Sequence, residues 1–314
     1  MIKVLIFIIF FSGLVLSDHS GVGIWSQGKN TIVVGSISYD NQTTNPMVTL
    51  NGYTYPGDQQ FSSYNYNENI LTFVSTNQVS NQMNLISINC TDEWSVSSIL
   101  PIGNHLTLGG LAYNLNNTNN DPNNLFITVF NFGILKIIKL NPFTGSNVTI
   151  DQFPGVFQSA VFNQFENYYA VSYANHTITT SLSNNYIRYY YYNTTKSSYQ
   201  LLFKPTISIF TFGPYKMKYH PYISQVIGLL QYYNPSSGIL KQVFSSLTSS
   251  NTLSISNMSP KGSLYIISVL PSFKSSQVYT IAQNINQFYL IIFNYTENII
   301  QDIIPISEPI VEIF

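Results

Sequence analysis

The stretch Leu125–Ile150, LFITVFNFGILKIIKLNPFTGSNVTI, sets the reading of the whole chain. An apolar run ends at Asn131-Phe132-Gly133, and a second run, Ile134 to Leu140, ends at Asn141-Pro142-Phe143-Thr144-Gly145. A third begins at Ser146. Each run is short, rich in Ile, Val, Phe and Thr, and bounded by turn residues. That pattern predicts antiparallel strands joined by hairpins. Asparagine tolerates left-handed backbone and bonds its own backbone two residues on, proline presets φ, and glycine takes positive φ.

Copies of this unit recur. Runs end at Asn41 (after Thr31 to Tyr39), Asn89 (after Leu85 to Ile88), Asn193 (after Ile187 to Tyr192), Asn234 (after Gln225 to Tyr233) and Asn294 (after Phe288 to Phe293). With Asn141 the marks are spaced 48, 52, 52, 41 and 60 residues apart, about 51 on average. Alanine is rare, and no stretch shows a 3.6-residue apolar period, so the chain reads as all-β. A period near 50 matches the roughly 40–50 residues of one four-stranded propeller blade. The expected fold is a single β-propeller of four-stranded antiparallel sheets, six blades by the count of turns, with seven as the alternative. The strand at Thr31 to Tyr39 is expected to share a sheet with the C-terminal strands near Phe288 to Ile304. Asp18 to Asn30 reads as a leading segment.

Leu125–Ile150 also resembles a repeat of the YVTN or quinoprotein-like propellers. In those, a strand ending in Asn-Phe-Gly is followed by a strand and an Asp-Pro-X-Thr-Gly turn. Asn131-Phe132-Gly133 and Asn141-Pro142-Phe143-Thr144-Gly145 carry the likeness over some 25 residues. It extends to architecture and to no particular activity.

Composition narrows the function. Charged residues make up 8% of the 314 residues and the formal net charge is −1, with Arg188 the only arginine. Nucleic-acid binding needs clustered Lys and Arg to neutralise phosphates, so that class is set aside. Residues 1–17, MIKVLIFIIFFSGLVLS, combine Lys3, an apolar run and small residues, the form of a secretory signal peptide. The run from Val4 to Leu16 is shorter than the about 20 residues of a membrane span. Cleavage after Ser17 leaves a domain over 18–314 and takes the formal charge to −2. Secretion gives meaning to eight Asn-X-Ser/Thr sequons, at Asn41, Asn89, Asn116, Asn147, Asn175, Asn193, Asn257 and Asn294. Cys90 is the single cysteine, expected as a buried thiol rather than a link to another chain. Residues 114–124, NLNNTNNDPNN, read as a low-complexity surface loop.

No catalytic constellation stands out. His19, His105, His176 and His220 make no metal-ligand spacing, and one cysteine cannot build a C-x-x-C zinc site. No nucleophile elbow, P-loop or dinucleotide fingerprint occurs. His220 reads as a surface or core-edge side chain. The acids that could meet at a central channel are Asp58, Glu68, Asp92, Glu93, Asp121, Asp151 and Glu166, with Asp58 and Asp151 the best placed. In the run Tyr189–Tyr192 alternate side chains face opposite ways, which suits packing between blades, with exposed stacking on a sugar or a protein as the other use. The sequence thus implies a secreted, N-glycosylated, monomeric binding module for a protein or glycan, with no cofactor and no metal. A lactonase-like propeller hydrolase and a structural matrix protein are the alternatives.

Overall fold

The structure, a computed structural model, describes residues 20–38, 43–56, 60–91, 93–102, 107–116, 121–174, 187–193, 198–202, 211–234, 239–247, 253–255, 264–284 and 287–314. The signal segment and the sequons at Asn41, Asn175 and Asn257 lie outside this set, as do Asp58, Asp92, His19, His105 and His176.

Twenty-five strands, numbered along the chain, form six antiparallel sheets among the described residues. The first joins β1 (Ser20–Ser26), β2 (Thr31–Ser38) and β3 (Thr43–Asn51) to the C-terminal β25 (Ile310–Ile313). The second holds β4 (Tyr53–Thr54), β5 (Ser62–Asn65), β6 (Ile70–Asn77), β7 (Gln82–Asn89) and β8 (Ser95–Pro101). The third runs β9 (Thr107–Tyr113), β10 (Leu125–Asn131), β11 (Ile134–Leu140), β12 (Asn147–Pro154). The fourth runs β13 (Val156–Asn163), β14 (Tyr168–Ala174), β15 (Ile187–Asn193), β16 (Ser198–Leu202). The fifth runs β17 (Thr211–His220), β18 (Gln225–Asn234), β19 (Ile239–Leu247), β20 (Leu253–Ile255). The sixth runs β21 (Tyr265–Pro271), β22 (Gln277–Gln283), β23 (Phe288–Asn294), β24 (Ile299–Ile306).

Strands β5, β9, β13, β17, β21 and β25 pack side by side in that order, and the Tyr64 and Phe314 rings stack at 6.2 Å where the series meets its start. An apolar cluster fills each junction between successive sheets, including the junction of the sixth with the first. This is a β-propeller with the inner strands around a central axis. Middle strands are buried on both faces between sheets, which is why Leu71 to Ser75 and Asn84 to Ile88 are buried without a break rather than at alternate positions. Outer strands such as β8 and β12 are mostly exposed. They carry Pro46, Pro101, Pro154 and Pro305, and their pairing with the third strand shifts register at Val34/Gly35, Ser87/Ile88, Ile137/Ile138 and Ile292/Phe293. Proline and a bulge on an open edge discourage pairing with another chain.

Three expectations are corrected. Five sheets are four-stranded, one fewer than the six expected, four of them meanders and the first completed by β25. The second sheet is five-stranded because its inner strand is broken, β4 and β5 pairing opposite ends of β6. The C-terminal strand that joins the N-terminal sheet is β25, with β1 between it and β2. Phe288 to Ile304 instead builds β23 and β24 in the sixth sheet, and the leading segment is itself strand β1. Last, Asn89, Asn141, Asn193 and Asn294 end the third strand of their sheets, whereas Asn234 ends the second strand of the fifth. That early mark explains the uneven spacings of 41 and 60.

The turn chemistry is as expected. The Asn141 side-chain oxygen accepts from Phe143 N (2.8 Å) and Thr144 N (3.1 Å), and the Gly145 amide donates to the Asn141 carbonyl with φ of 75° at the glycine. The described ends of the 114–124 segment are held: Asn114 N donates to Asn124 O, and Lys139 pairs with Asp121 at 2.7 Å. In the tyrosine run, Tyr190 and Tyr192 pack towards the third sheet and Tyr191 towards the fifth, so both strand faces serve packing between sheets.

Candidate functional site

The inner strands end, at their C-terminal tips, around one cavity of about 120 Å³ on the axis. All six contribute: Tyr64 and Tyr66 from the β5 end, Leu111 and Tyr113 from β9, Val161 and Phe162 from β13, Met217 to Tyr219 from β17, Leu270 and Pro271 from β21, Ile313 and Phe314 from β25. Inner strands come close here. Gly110 has φ of 64°, and a Cβ at that position would lie 2.6 Å from that of Ala160, so only glycine fits.

The floor is Gln60, in the break of the second sheet's inner strand. Its backbone oxygen accepts from Leu111 N of the third sheet (3.1 Å). Its side-chain oxygen accepts from Ser159 Oγ (2.9 Å) and Ala160 N (2.7 Å) of the fourth, and its Nε2 donates to Met217 O of the fifth. Met217 N donates to Ser159 Oγ (2.8 Å), which closes a ring of hydrogen bonds. One buried residue thus ties three other sheets to its own, the third through its backbone and the fourth and fifth through its side chain, and blocks the axis below the cavity. A matching clasp lies across the ring, where Ser268 Oγ accepts from Ile313 N (3.1 Å) and donates to Glu312 Oε1 (2.9 Å).

The walls are largely aromatic and apolar. Tyr64 meets Tyr66 edge-on at 4.9 Å, and Tyr66 meets Phe273 at 4.7 Å. Burial pushes the Tyr64 and Tyr113 phenols well above their usual range, so both stay protonated at neutral pH. The Tyr113 hydroxyl shares a 2.6 Å hydrogen bond with Thr72. Lys218 lines the cavity and pairs with the buried Glu312 at 3.5 Å, its ammonium 5.3 Å from the Phe314 ring centroid, while Glu68 and Glu166 act on the Tyr113 and Tyr219 phenols.

The acids singled out from the sequence are not brought together here. Glu68 and Glu166 cap hairpins, each accepting from an asparagine three residues earlier (3.0 Å from Asn65, 3.2 Å from Asn163). Glu93 is exposed beyond β7, Asp121 pairs with Lys139, and Asp151 sits on the outer strand β12. Glu312, buried on the inner strand β25, is the partner of the cavity-lining Lys218, and the signal for it was a lone acid in the apolar Ile310-Val311-Glu312-Ile313. Among the described residues no three His, Cys, Asp or Glu side chains come together.

Two other groups differ in kind. Cys90 is buried, and burial pushes its thiol up to about 12, so it stays protonated and unreactive. His220 is fully buried rather than at the surface or core edge. Neither ring nitrogen finds a partner of hydrogen-bonding geometry. Burial lowers its pKa to about 4, partly offset by the adjoining backbone of Ser276 and Gln277.

No protein-family profile matches the chain and no curated protein does. Solved structures do. TolB from Acinetobacter baumannii superposes with a TM-score of 0.62 at 10% identity, over 94% of this chain and 65% of that one. This chain therefore spans about two thirds of the TolB chain. An oligogalacturonate lyase from Vibrio parahaemolyticus gives 0.52 at 12% identity, over 89% and 78%, and an oligogalacturonate lyase in complex with manganese gives 0.53 at 11%, over 90% and 77%. At these identities the likeness is one of fold.

Proposed function

We propose that this chain is a secreted, N-glycosylated, monomeric β-propeller that binds a protein or glycan partner at the channel cavity, without catalysis of its own. Residues 1–17 serve as its signal peptide. The second sheet counts as a sixth blade whose inner strand is split to admit Gln60. The observation that carries the reading is the cavity itself: six inner strands converge on a pocket with a hydrogen-bonded floor and aromatic walls, lined by Lys218, whose partner Glu312 is also held by Ser268. Such concave, mostly apolar pockets with a few fixed polar groups are the usual form of a ligand site. A propeller hydrolase would need an acid free to move a proton at the channel; Glu312, doubly engaged, is poorly suited.

Met217 lines the pocket and is buried, which makes it a reporter. With methyl-13C methionine, a fragment screen by NMR is expected to yield hits that shift the Met217 resonance and leave Met47 and Met83 in place. Hits that move only Met47 or Met83, or none at Met217, refute the pocket as the site.

A further inference from the structure

The hairpins around the mouth present aromatic side chains to solvent. Phe165, between β13 and β14, is 69% exposed; Tyr222, between β17 and β18, is 58% exposed; Phe273, between β21 and β22, is 49% exposed. Tyr66, between β5 and β6, packs edge-on against Phe273. These hairpins are held in place. Asn65 accepts from Asn67 N and Glu68 N, Asn163 from Phe165 N and Glu166 N, and Ser272 from Lys274 N and Ser275 N, all at 3.0 to 3.3 Å. Rigid aromatic groups left in water around a pocket mark a recognition surface.

The sequons add a second constraint. In an antiparallel meander the first-to-second and third-to-fourth connections emerge on one face. The five described sequons all lie there: Asn116 between β9 and β10, Asn89, Asn193 and Asn294 at the ends of third strands, and Asn147 at the start of β12. Glycans at these positions would ring the mouth, leaving room for a slender chain and little for a broad protein surface.

We infer that the pocket takes the uncharged terminal ring of a glycan chain, inserted end-on between Tyr66, Phe273 and the inner-strand aromatics. The inference rests on the cavity being the ligand site. The pocket is floored by Gln60, so a polymer enters only by its end. A peptide end brings an ammonium or carboxylate against a wall where Lys218, the one charged side chain among the described lining residues, is already paired with Glu312, and an unpaired buried charge is costly. The walls are strand tips rather than a free sheet edge, so an extended peptide finds no backbone ladder. A neutral sugar brings hydroxyls that both donate and accept, and C–H faces that lie on aromatic rings.

The test uses the secreted, glycosylated protein with labelled methionine. The probes are methyl glycosides of glucose, mannose, galactose and N-acetylglucosamine, methyl glucuronoside as an acidic sugar, and N-acetyl tyrosine amide as a neutral aromatic. At least one neutral glycoside is expected to shift Met217, with affinity falling about tenfold in Tyr66→Ala or Phe273→Ala, the loss of one stacking contact. Phe132→Asn, on the opposite face, is expected to bind as the parent does. If only the tyrosine amide shifts Met217, the sugar inference fails and the pocket reading stands. If the glucuronoside binds more tightly than every neutral glycoside, the inference also fails. If no probe shifts Met217, both fall.

Discussion

Replacing Gln60 with leucine removes the hydrogen-bonding head of the floor and keeps its bulk. The side chain accepts from Ser159 Oγ at 2.9 Å and Ala160 N at 2.7 Å and donates to Met217 O. Ser159 can turn its hydroxyl elsewhere, but the Ala160 amide and Met217 carbonyl stay where the strands hold them. Each net bond is worth about 1 kcal/mol, and each buried group left unpaired costs about 1–3 kcal/mol. Water entering from the cavity offsets part of this, so the expected loss is about 3 kcal/mol, a large share of the about 5–15 kcal/mol of a whole domain. At about 2.1 cal/mol/K per residue of unfolding entropy, the midpoint falls by about 5 °C. The assay is urea unfolding followed by tryptophan fluorescence, with thermal melts alongside. Gln60→Glu is the paired variant. It keeps both acceptor contacts but sets a carboxylate against the Met217 carbonyl. Its folded-state pKa should therefore be raised, so its stability is greatest below pH of about 4.3 and is lost as pH rises through the folded value. If leucine costs less than about 0.5 kcal/mol, within the range of an ordinary surface change, Gln60 is no keystone and the floor reasoning is refuted.

Other perturbations follow from the same structure. Ile313 is fully buried on β25, so Ile313→Ala should cost about 2–5 kcal/mol in urea unfolding; a smaller loss would mean that β25 contributes little to closing the ring. Phe132 has φ of 47° ahead of Gly133 at 79°, and its ring is 97% exposed. Two-residue hairpins with both central φ positive favour Asn-Gly, so Phe132→Asn should stabilise by about 0.5–1 kcal/mol, and a destabilised variant would contradict the turn assignment. His220 is held neutral down to about pH 4, against an ordinary value of 6.5. Its folded pKa is depressed, so the stability is present above pH 6.5 and is lost as pH falls towards 4. His220→Phe should flatten the decline of the urea midpoint between those values, and an imidazole titrating near 6.5 by NMR would show that the ring is not enclosed.

Much of the architecture was legible because it is local. Short β-branched runs, asparagine turns and a period near 51 residues pointed to a propeller, and Asn141 makes the turn its sequence implies. What failed to show was what depends on distant neighbours. Asn234 is chemically the same turn as Asn141 but sits one strand earlier, since a hairpin signal does not say which pair of strands it joins. The C-terminal closure on β25 does not show in the sequence because Ile310–Ile313 is short and interrupted by Glu312, whose partners Ser268 and Lys218 are far away in sequence. Gln60 met no motif, because its partners Ser159 and Met217 come from other sheets. A repeated element takes its meaning only from the structure: Asn65 to Asn69, Asn163 to Asn167 and Asn294 to Asn298 all read Asn-x-x-Glu-Asn, with the last asparagine at φ of 54°, 55° and 57°. Its first asparagine accepts from following amides and its last takes the left-handed turn, which fixes the hairpins that frame the mouth.

The account turns on a closed ring with a solid floor beneath its pocket. Site-resolved amide hydrogen exchange tests this at Ala160 and Met217, whose N–H groups donate to Gln60 Oε1 and Ser159 Oγ. Both should exchange only through global unfolding, as slowly as the core amides of β6 and β14. Exchange as fast as that of the hairpin tips at Val79 or Phe165 would mean that the axis is open to water, and would contradict the floored pocket.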